Sequence, residues 1–330
     1  MELAYFEKFL NSLLEDCNVD IVAGRRNRID DLDKVMLELN DIQNSNTIDR
    51  ILNRIYLERF YVKYPQFVEL IKTNVKFKNR HLGDRCFILG NGPSLREQDL
   101  SLLRDEYVFT VNNLCRYDGF QAIKSNYHFY ADPIYFDTNN KNEAVVLLRN
   151  AFIKDIKTEY SKNDTVCFLS TLGYDLVIAN NLKSHAKIEY YSTPLKFYDG
   201  YDEDIDYAKP APAFHTVVQW CITMAIYMGF KEIYLLGCDC DGIIELIDRR
   251  QSRHAYEINE TERKLAEYLD SRYGTEAMFL GWAKIFHLYK QLRLYCEKRN
   301  IKLVNCSAKT VLDCIPIMRY EDVMKGLCSN

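Results

Sequence analysis

The sequence contains no long hydrophobic run. No stretch reaches the roughly 20 apolar residues of a membrane-spanning helix, and the opening residues carry acidic side chains where a signal peptide has its apolar core. Several of the 11 cysteines lie inside apolar runs, where cysteine serves as a small buried hydrophobe (Cys86, Cys167 and Cys221). We therefore expect a reduced protein, located in the cytoplasm or at the inner face of the membrane.

An excess of positive charge is also missing. The 43 Lys and Arg residues are outnumbered by 47 Asp and Glu residues, for a formal net charge of -4, which argues against a general nucleic-acid binder. Cys238 and Cys240 stand closer together than the cysteines of a usual zinc knuckle, and no second pair follows at zinc-finger spacing. The sequence therefore predicts no metal site.

Glycine and proline are absent between Arg25 and Tyr64. Apolar residues there recur close to helical spacing among many charged ones. We therefore predict a helical N-terminal region over residues 1–78, which serves as an appendage or as the contact of a homo-oligomer. The rest, residues 79–330, is long enough for one large α/β domain.

Short β-rich runs alternate with amphipathic segments from about residue 83 onward. The predicted strands are Arg85–Leu89, Tyr107–Val111, Tyr127–Ala131, Thr165–Leu169, Lys187–Tyr191, Glu232–Leu236 and Lys302–Val304. The predicted helices are Ser94–Leu103, Glu143–Ile153, Tyr174–Asn181, Thr216–Met228 and Trp282–Lys298. This alternation predicts an α/β fold with a mostly parallel sheet and helices on both faces. The acidic stretch Tyr198–Pro212 is predicted to be a loop.

A glycine-rich turn follows the first predicted strand. Gly90, Asn91, Gly92 and Pro93 interrupt the apolar run, and we expect the two glycines to allow positive φ and a close approach of a ligand. Ser94, with Glu97 three residues later, predicts a capping box and a helix that starts at Ser94. The free amides of its first turn would form an anion site. A tight turn without any ligand is the alternative.

Asn112 and Asn113 follow the second predicted strand. Parallel strands end at one edge of a sheet, and open α/β sheets bind their ligands along that edge. Two carboxamides there can recognise a base or a ribose. The dinucleotide fingerprint GxGxxG and the Walker A sequence GK[ST] are both absent from the turn, which excludes those two modes of nucleotide binding.

Three segments together resemble known families: ILGNGPSL at residues 88–95, VNN at residues 111–113 and GFKEIYLLGCD at residues 229–239. They are similar to the bacterial sialyltransferases of glycosyltransferase family 42. They are also similar to the group that contains motility accessory factors and 6-hydroxymethylpterin diphosphokinase-like proteins. The resemblance covers roughly residues 83 to 315. It implies a variant Rossmann-like domain that binds a nucleotide, with a CMP-sugar as the donor in the sialyltransferase branch.

The resemblance also implies roles for particular residues. In the sialyltransferase branch the turn and the asparagine after the next strand contact the nucleotide, and these roles correspond here to Gly90, Asn91, Gly92, Pro93, Ser94, Asn112 and Asn113. The Ser/Thr-bearing helix start corresponds to Thr216. Trp282, however, stands where that branch has its catalytic histidine, so the base must come from elsewhere.

Glycosyl transfer needs a base for the acceptor hydroxyl and stabilisation of the departing phosphate. Asp239 ends a predicted strand, where it could act as base, bind a hydroxyl, hold a metal or simply cap a turn. His254 has a suitable intrinsic pKa, and Tyr256 can donate to a phosphate oxygen, although a surface position in a polar loop is equally compatible with both. His215 precedes Thr216, the predicted N-cap of a helix, and can face the site.

Three further polar residues follow predicted strands. Asp132 comes before Pro133 at the end of the third strand, as a sugar or acceptor contact or as part of a plain turn. Asn305 and Ser307 follow the last strand and are candidates for contacts with the donor.

The leading hypothesis is a glycosyltransferase of bacterial glycan or polysaccharide assembly. It takes a nucleotide-activated sugar, CMP-linked in the sialyltransferase branch, and a glycan or lipid-linked acceptor that is compatible with peripheral membrane association. No cofactor beyond the substrates is required. One alternative is a diphosphokinase-like enzyme that uses ATP, Mg²⁺ and a pterin-type substrate. Another is a catalytically inactive nucleotide-binding partner protein, which Trp282 favours.

Overall fold

The structure, a computed structural model, describes residues 45–160, 164–242, 254–257, 260–272 and 274–326. The chain divides into two compact units between Pro65 and Gln66. Helix α1 (Ser45–Lys63) makes up most of the described part of the first unit and confirms the helical prediction there. The helical pattern of residues 1–44 lies outside the described residues. α1 ends just before Tyr64, whose α conformation Pro65 disfavours.

The described part of the second unit contains nine strands: β1 (Arg85–Leu89), β2 (Tyr107–Val111), β3 (Tyr127–Tyr130), β4 (Val166–Ser170), β5 (Lys187–Tyr191), β6 (Leu195–Lys196), β7 (Pro212–Ala213), β8 (Glu232–Leu236) and β9 (Lys302–Asn305). Seven of them form a sheet in the order β5-β4-β3-β2-β1-β8-β9, while β6 and β7 pair separately. Every neighbouring pair in the sheet is parallel. The predicted parallel sheet is therefore confirmed, with each predicted strand within one residue of its observed bounds.

The remaining helices are α2 (Pro65–Lys72), α3 (Glu143–Thr158), α4 (Tyr174–Ala179), α5 (Val217–Tyr227), α6 (Glu260–Arg272), α7 (Thr275–Glu297) and α8 (Tyr320–Met324). Alternate residues of a strand point to opposite faces, so Ile88 joins a core with α5 and α7, while Leu89 joins a second core with α3 and α4. Two cores on opposite faces confirm the prediction of a sheet covered on both sides.

The predicted helix Ser94–Leu103 is wrong. Two short 3₁₀ segments occupy this stretch, Pro93–Glu97 and Leu100–Leu103. Gln98 between them is extended (φ -118°, ψ 138°), and Asp99 starts the second segment by accepting a hydrogen bond from the Ser101 amide. The predicted capping box does not form, because the Ser94 side chain bonds to a residue far along the chain (described below).

Two segments are more deeply packed than their polarity suggests. Residues 66–77, assigned by the sequence to the N-terminal region, belong to the second unit, where Phe77 is buried in the core. The Tyr198–Pro212 loop is also anchored: Tyr201 and Tyr207 are buried, and the Arg299 guanidinium donates to the Asp202 carbonyl (2.8 Å). The aromatic residues of this acidic loop thus hold it against the fold.

Candidate functional site

The chain changes direction through the sheet at β1. From β1 it runs outward through β2 to β5, and it then returns to place β8 on the other side of β1. In open α/β sheets, ligands bind in the crevice outside the carboxyl ends of the strands at such a switch point. The turn after β1 (residues 90–93) and the turn after β8 (residues 237–239) meet at this place, because Leu89 and Leu236 are register partners.

The two glycines after β1 pack against the turn after β8. The Gly90 amide donates to the Leu236 carbonyl and the Gly92 amide to the Gly237 carbonyl, both at 2.8 Å. A Cβ on Gly90 would lie 2.5 Å from the Gly237 carbonyl oxygen, and one on Gly92 would lie 2.5 Å from Cγ of Asp239. The expected positive φ is wrong for both glycines; φ of Gly92 is -64°. Glycine is needed at both positions because the neighbouring turn leaves no room for a Cβ atom, and not because the backbone adopts a positive φ.

Ser94 and Asp239 form a clamp across the switch point. The Ser94 amide donates to Oδ2 of Asp239 (2.9 Å) and the Ser94 hydroxyl donates to Oδ1 (2.5 Å). Both residues are buried. Burial raises the pKa of the Asp239 carboxyl, and the two Ser94 hydrogen bonds partly offset this. The amide that was predicted to hold an anion thus faces an internal carboxylate, and Asp239 cannot take a proton without weakening its bonds to Ser94.

The segment 254–257 lies on the turn after β1. The Ala255 amide donates to the Asn91 carbonyl (2.7 Å), and Nε of Arg96 donates to the Ala255 carbonyl (2.7 Å). This places His254 and Tyr256, whose ring centroids are 5.1 Å apart, beside Asn91. The sequence did not predict this role of Arg96, because no local pattern around Arg96 indicates a partner 159 positions away.

Two buried carboxamide oxygens lack a partner at this edge. Oδ1 of Asn91 and Oδ1 of Asn112 have no hydrogen-bond donor within the described part of the chain. Asn112 has a left-handed backbone (φ 46°), which Asn tolerates better than most residues. The Asn113 side chain instead forms a hydrogen bond within the protein, in which its Oδ1 accepts from the Tyr135 hydroxyl (3.2 Å). Asn91 and Asn112 are thus the two acceptors that a base amine or sugar hydroxyl can satisfy.

His215 and Thr216 lie at the start of α5. Since α5 leads back to the beginning of β8, its N-terminus lies at the carboxyl edge of the sheet. Oε1 of Gln219 accepts from both the His215 and the Thr216 amides (3.1 Å each), which forms a capping box. The His215 side chain is exposed; partial burial, and then the Lys284 charge, lower its pKa. The imidazole is therefore neutral near pH 7.

The side chains of Asn305 and Ser307 form hydrogen bonds within the protein. The Ser307 hydroxyl accepts from the Cys238 amide (2.8 Å) and donates to Oδ1 of Asn305 (2.7 Å). Nδ2 of Asn305 donates to the Thr310 hydroxyl (3.0 Å), and Asn305 and Ser307 are both buried. These bonds fasten the end of β9 to the turn after β8, which is a structural role; the donor contacts expected of both residues stay a prediction.

Asp132 and Trp282 border the same edge. Asp132 follows β3 and has an exposed side chain, yet the surrounding protein raises the pKa of its carboxyl. The Trp282 ring covers Gly242, where a Cβ would lie 2.6 Å from it. Cys240, two residues earlier, has a left-handed backbone (φ 53°), which is unusual for a residue other than Gly, Asn or Asp.

A seven-stranded parallel sheet with polar turns at its switch point defines a Rossmann-like α/β protein. The chain belongs to the MptE-like family: the family model for 6-hydroxymethylpterin diphosphokinase MptE-like proteins matches residues 58–244. This match confirms the resemblance found in the sequence motifs. None of the helices in the described part of the chain has the length and apolar character needed to cross a bilayer.

Two solved structures are similar in fold. One is the sialyltransferase CstII from Campylobacter jejuni in complex with cytidine-5'-monophosphate, with 18% identity and a TM-score of 0.39 over 72% of this chain and 85% of that chain. The other is CstII in complex with CMP-3FNeuAc, with 18% identity and a TM-score of 0.33 over 71% of this chain and 84% of that chain. No curated protein sequence matches this chain.

Proposed function

We propose that this chain is a glycosyltransferase that moves a sugar from a nucleotide-activated donor, CMP-linked, to a glycan or lipid-linked acceptor. The observation that carries this proposal is the pair of unpartnered carboxamide oxygens on Asn91 and Asn112 beside the clamp of Ser94 and Asp239. Leaving a buried acceptor unsatisfied costs about 1–3 kcal/mol. The exocyclic amine of a base or the hydroxyls of a ribose would recover that cost on binding.

The Asp239 carboxylate favours a donor with little phosphate charge. It lies at the point where the first amide of the 3₁₀ segment would otherwise meet a phosphate. A negative charge about 4 Å from it is repelled by about 4 kcal/mol at the effective dielectric constant of a protein surface. A CMP-sugar brings one phosphate to this place, whereas ATP brings three.

The second candidate is diphosphoryl transfer from ATP to a pterin-type substrate. The family match over residues 58–244 is the observation that favours it. In this reaction Mg²⁺ would neutralise the triphosphate, and Asp239 with Asp241 would supply carboxylate ligands. The third candidate is a nucleotide-binding protein without catalytic activity, and an experiment must distinguish it from the glycosyltransferase and the diphosphokinase.

A thermal-shift panel of CMP, CMP-sugars, UDP, GDP and ATP, with and without Mg²⁺, tests the proposal. A ligand at one hundred times its Kd adds about 2.7 kcal/mol to the free energy of unfolding, or about 5–10 °C for a unit of this size. We expect this shift with CMP and CMP-sugars. A shift with ATP alone would favour the diphosphokinase, and a panel without any shift contradicts both.

Two variants locate the site. Asn91→Ala should abolish most of the CMP shift, because it removes an acceptor of the crevice. Asn150→Ala, at an exposed position of α3, is the matched control and should keep the full shift. Equal shifts in the two variants would place the nucleotide elsewhere.

A further inference from the structure

The role of Asp132 inferred below rests on the proposed glycosyl transfer. Asp132 caps the 3₁₀ segment Pro133–Tyr135, with Oδ1 accepting from the Ile134 amide (3.0 Å). Within the described part of the chain, only its Oδ1 has a hydrogen-bond partner, and its Oδ2 is left to face solvent. The carboxylate therefore has one oxygen that orients it and a second oxygen that is free to face a substrate.

The turn that carries Asp132 is held rigidly from both sides. The Tyr135 hydroxyl donates to Oδ1 of Asn113 (3.2 Å), which joins this turn to the one after β2. On the other side the Phe136 ring fills the space beside Gly173, where a Cβ would lie 2.7 Å from it. The carboxylate is thus positioned by packing on neighbouring turns, as a catalytic group requires.

The position of Asp132 fits the span of a nucleotide-sugar. β3 is separated from β1 by β2 alone, and neighbouring strands lie about 4.8 Å apart, so the ends of β3 and β1 are about 10 Å apart. A nucleotide held by Asn91 and Asn112 at the ends of β1 and β2 would extend its sugar toward the end of β3. Asp239, in contrast, already uses both carboxylate oxygens to bind Ser94.

We propose that Asp132 is the general base of the transfer. Its free oxygen takes the proton of the acceptor hydroxyl, and the hydroxyl oxygen forms a bond to the anomeric carbon of the donor sugar. The bond between the anomeric carbon and the phosphate oxygen breaks, and its electron pair leaves with the nucleotide phosphate. Water can replace the acceptor in the same step, which then hydrolyses the donor.

Tyr191 interacts with the Asp132 carboxylate, and Tyr130 and His128 lie on β3, the strand that precedes Asp132. Burial raises the pKa of the Tyr130 and Tyr191 phenols well above their usual range. Burial also lowers the pKa of His128, which lies on β3, to about 3. These three groups are therefore neutral across the working pH range, while the carboxyl of Asp132 has its pKa raised toward that range, as suits a general base.

The test compares Asp132→Asn with wild type in two measurements on the full chain: calorimetric titration with CMP, and the rate of CMP release from a panel of CMP-sugars. Asn can still accept the Ile134 hydrogen bond, so the turn is kept. We expect the Kd for CMP to stay within about twofold, and kcat to fall by about 100-fold or more. The decline of the rate at low pH should disappear in the variant. Asp137→Asn, an exposed aspartate of the same turn region, should behave as wild type.

Two results would overturn the role of Asp132. One is a kcat for Asp132→Asn within about threefold of wild type with the same pH profile, far short of a general base's usual contribution. The other is a wild-type chain that binds CMP but releases it from no CMP-sugar, which leaves nucleotide binding intact and removes the transfer. A wild-type chain that does not bind CMP refutes the proposed function itself, and this is a distinguishable result.

Discussion

The clamp between Ser94 and Asp239 gives the sharpest prediction on stability. Both hydrogen bonds end on a buried carboxylate, and hydrogen bonds to charged groups contribute about 1.5–3 kcal/mol each. Asp239→Asn keeps an oxygen that accepts from the Ser94 amide and turns an NH₂ group toward the Ser94 hydroxyl, which must then rotate and accept, so two hydrogen bonds to a charged carboxylate become two neutral ones. Because the carboxylate is also costly to bury, we expect a net loss of about 2–3 kcal/mol in the free energy of unfolding.

Urea unfolding of the two single variants and the double variant measures the coupling. Ser94→Ala alone removes the hydroxyl donor and should cost about 1.5–3 kcal/mol. The double variant Ser94→Ala with Asp239→Asn should cost less than the sum of the single ones, with a coupling energy of about 1–3 kcal/mol. Additive losses would refute the clamp, because they would show that the two side chains act independently. Circular dichroism of each variant checks that the fold is retained before unfolding.

Further predictions concern space, backbone and pH. Gly92→Ala should lower the free energy of unfolding by about 1–3 kcal/mol, since its Cβ would meet Asp239 at 2.5 Å. Gly274→Ala, whose Cβ would have nothing within 4 Å, is the control and should change it by less than about 1 kcal/mol in the same urea assay. Asn112→Gly suits the left-handed backbone, so it should keep stability while weakening CMP binding about tenfold in a titration. Asn181→Gly, at another left-handed position, should leave CMP binding unchanged, and an equal loss of CMP affinity in both variants would contradict the role of Asn112. The buried His128 has its pKa lowered to about 3, so from about pH 6.5 down to about 3 the unfolded state binds a proton that the folded state does not. Stability that is full above pH 6.5 is thus lost as pH falls, by up to about 1.4 kcal/mol per pH unit; His128→Gln should reduce this slope by close to one proton, and parallel pH curves for the two proteins would contradict it.

The strands could be predicted from the sequence because each is marked by its own residues and by those directly next to it. A parallel strand covered on both faces appears as a short apolar run, as at Cys86–Leu89, and the residues that end it are turn formers such as Gly90. The parallel arrangement followed from alternation with helices, since parallel strands need long crossover connections. Thr216 was also predictable as a cap, because the capping box of α5 lies within four residues.

The site depended on contacts that no local pattern contains. Ser94 meets Asp239 across 145 positions of sequence, and this long-range bond replaces the local capping box that would have started a helix at Ser94. The need for glycine at position 92 likewise comes from the side chain of Asp239. Chain periodicity determines which residues form strands and helices, whereas the partner of each polar side chain is decided only when distant turns meet at the edge of the sheet. The sequence by itself therefore determined the sheet and the place of the crevice, and the tertiary structure decided which of its polar groups stay free for a ligand.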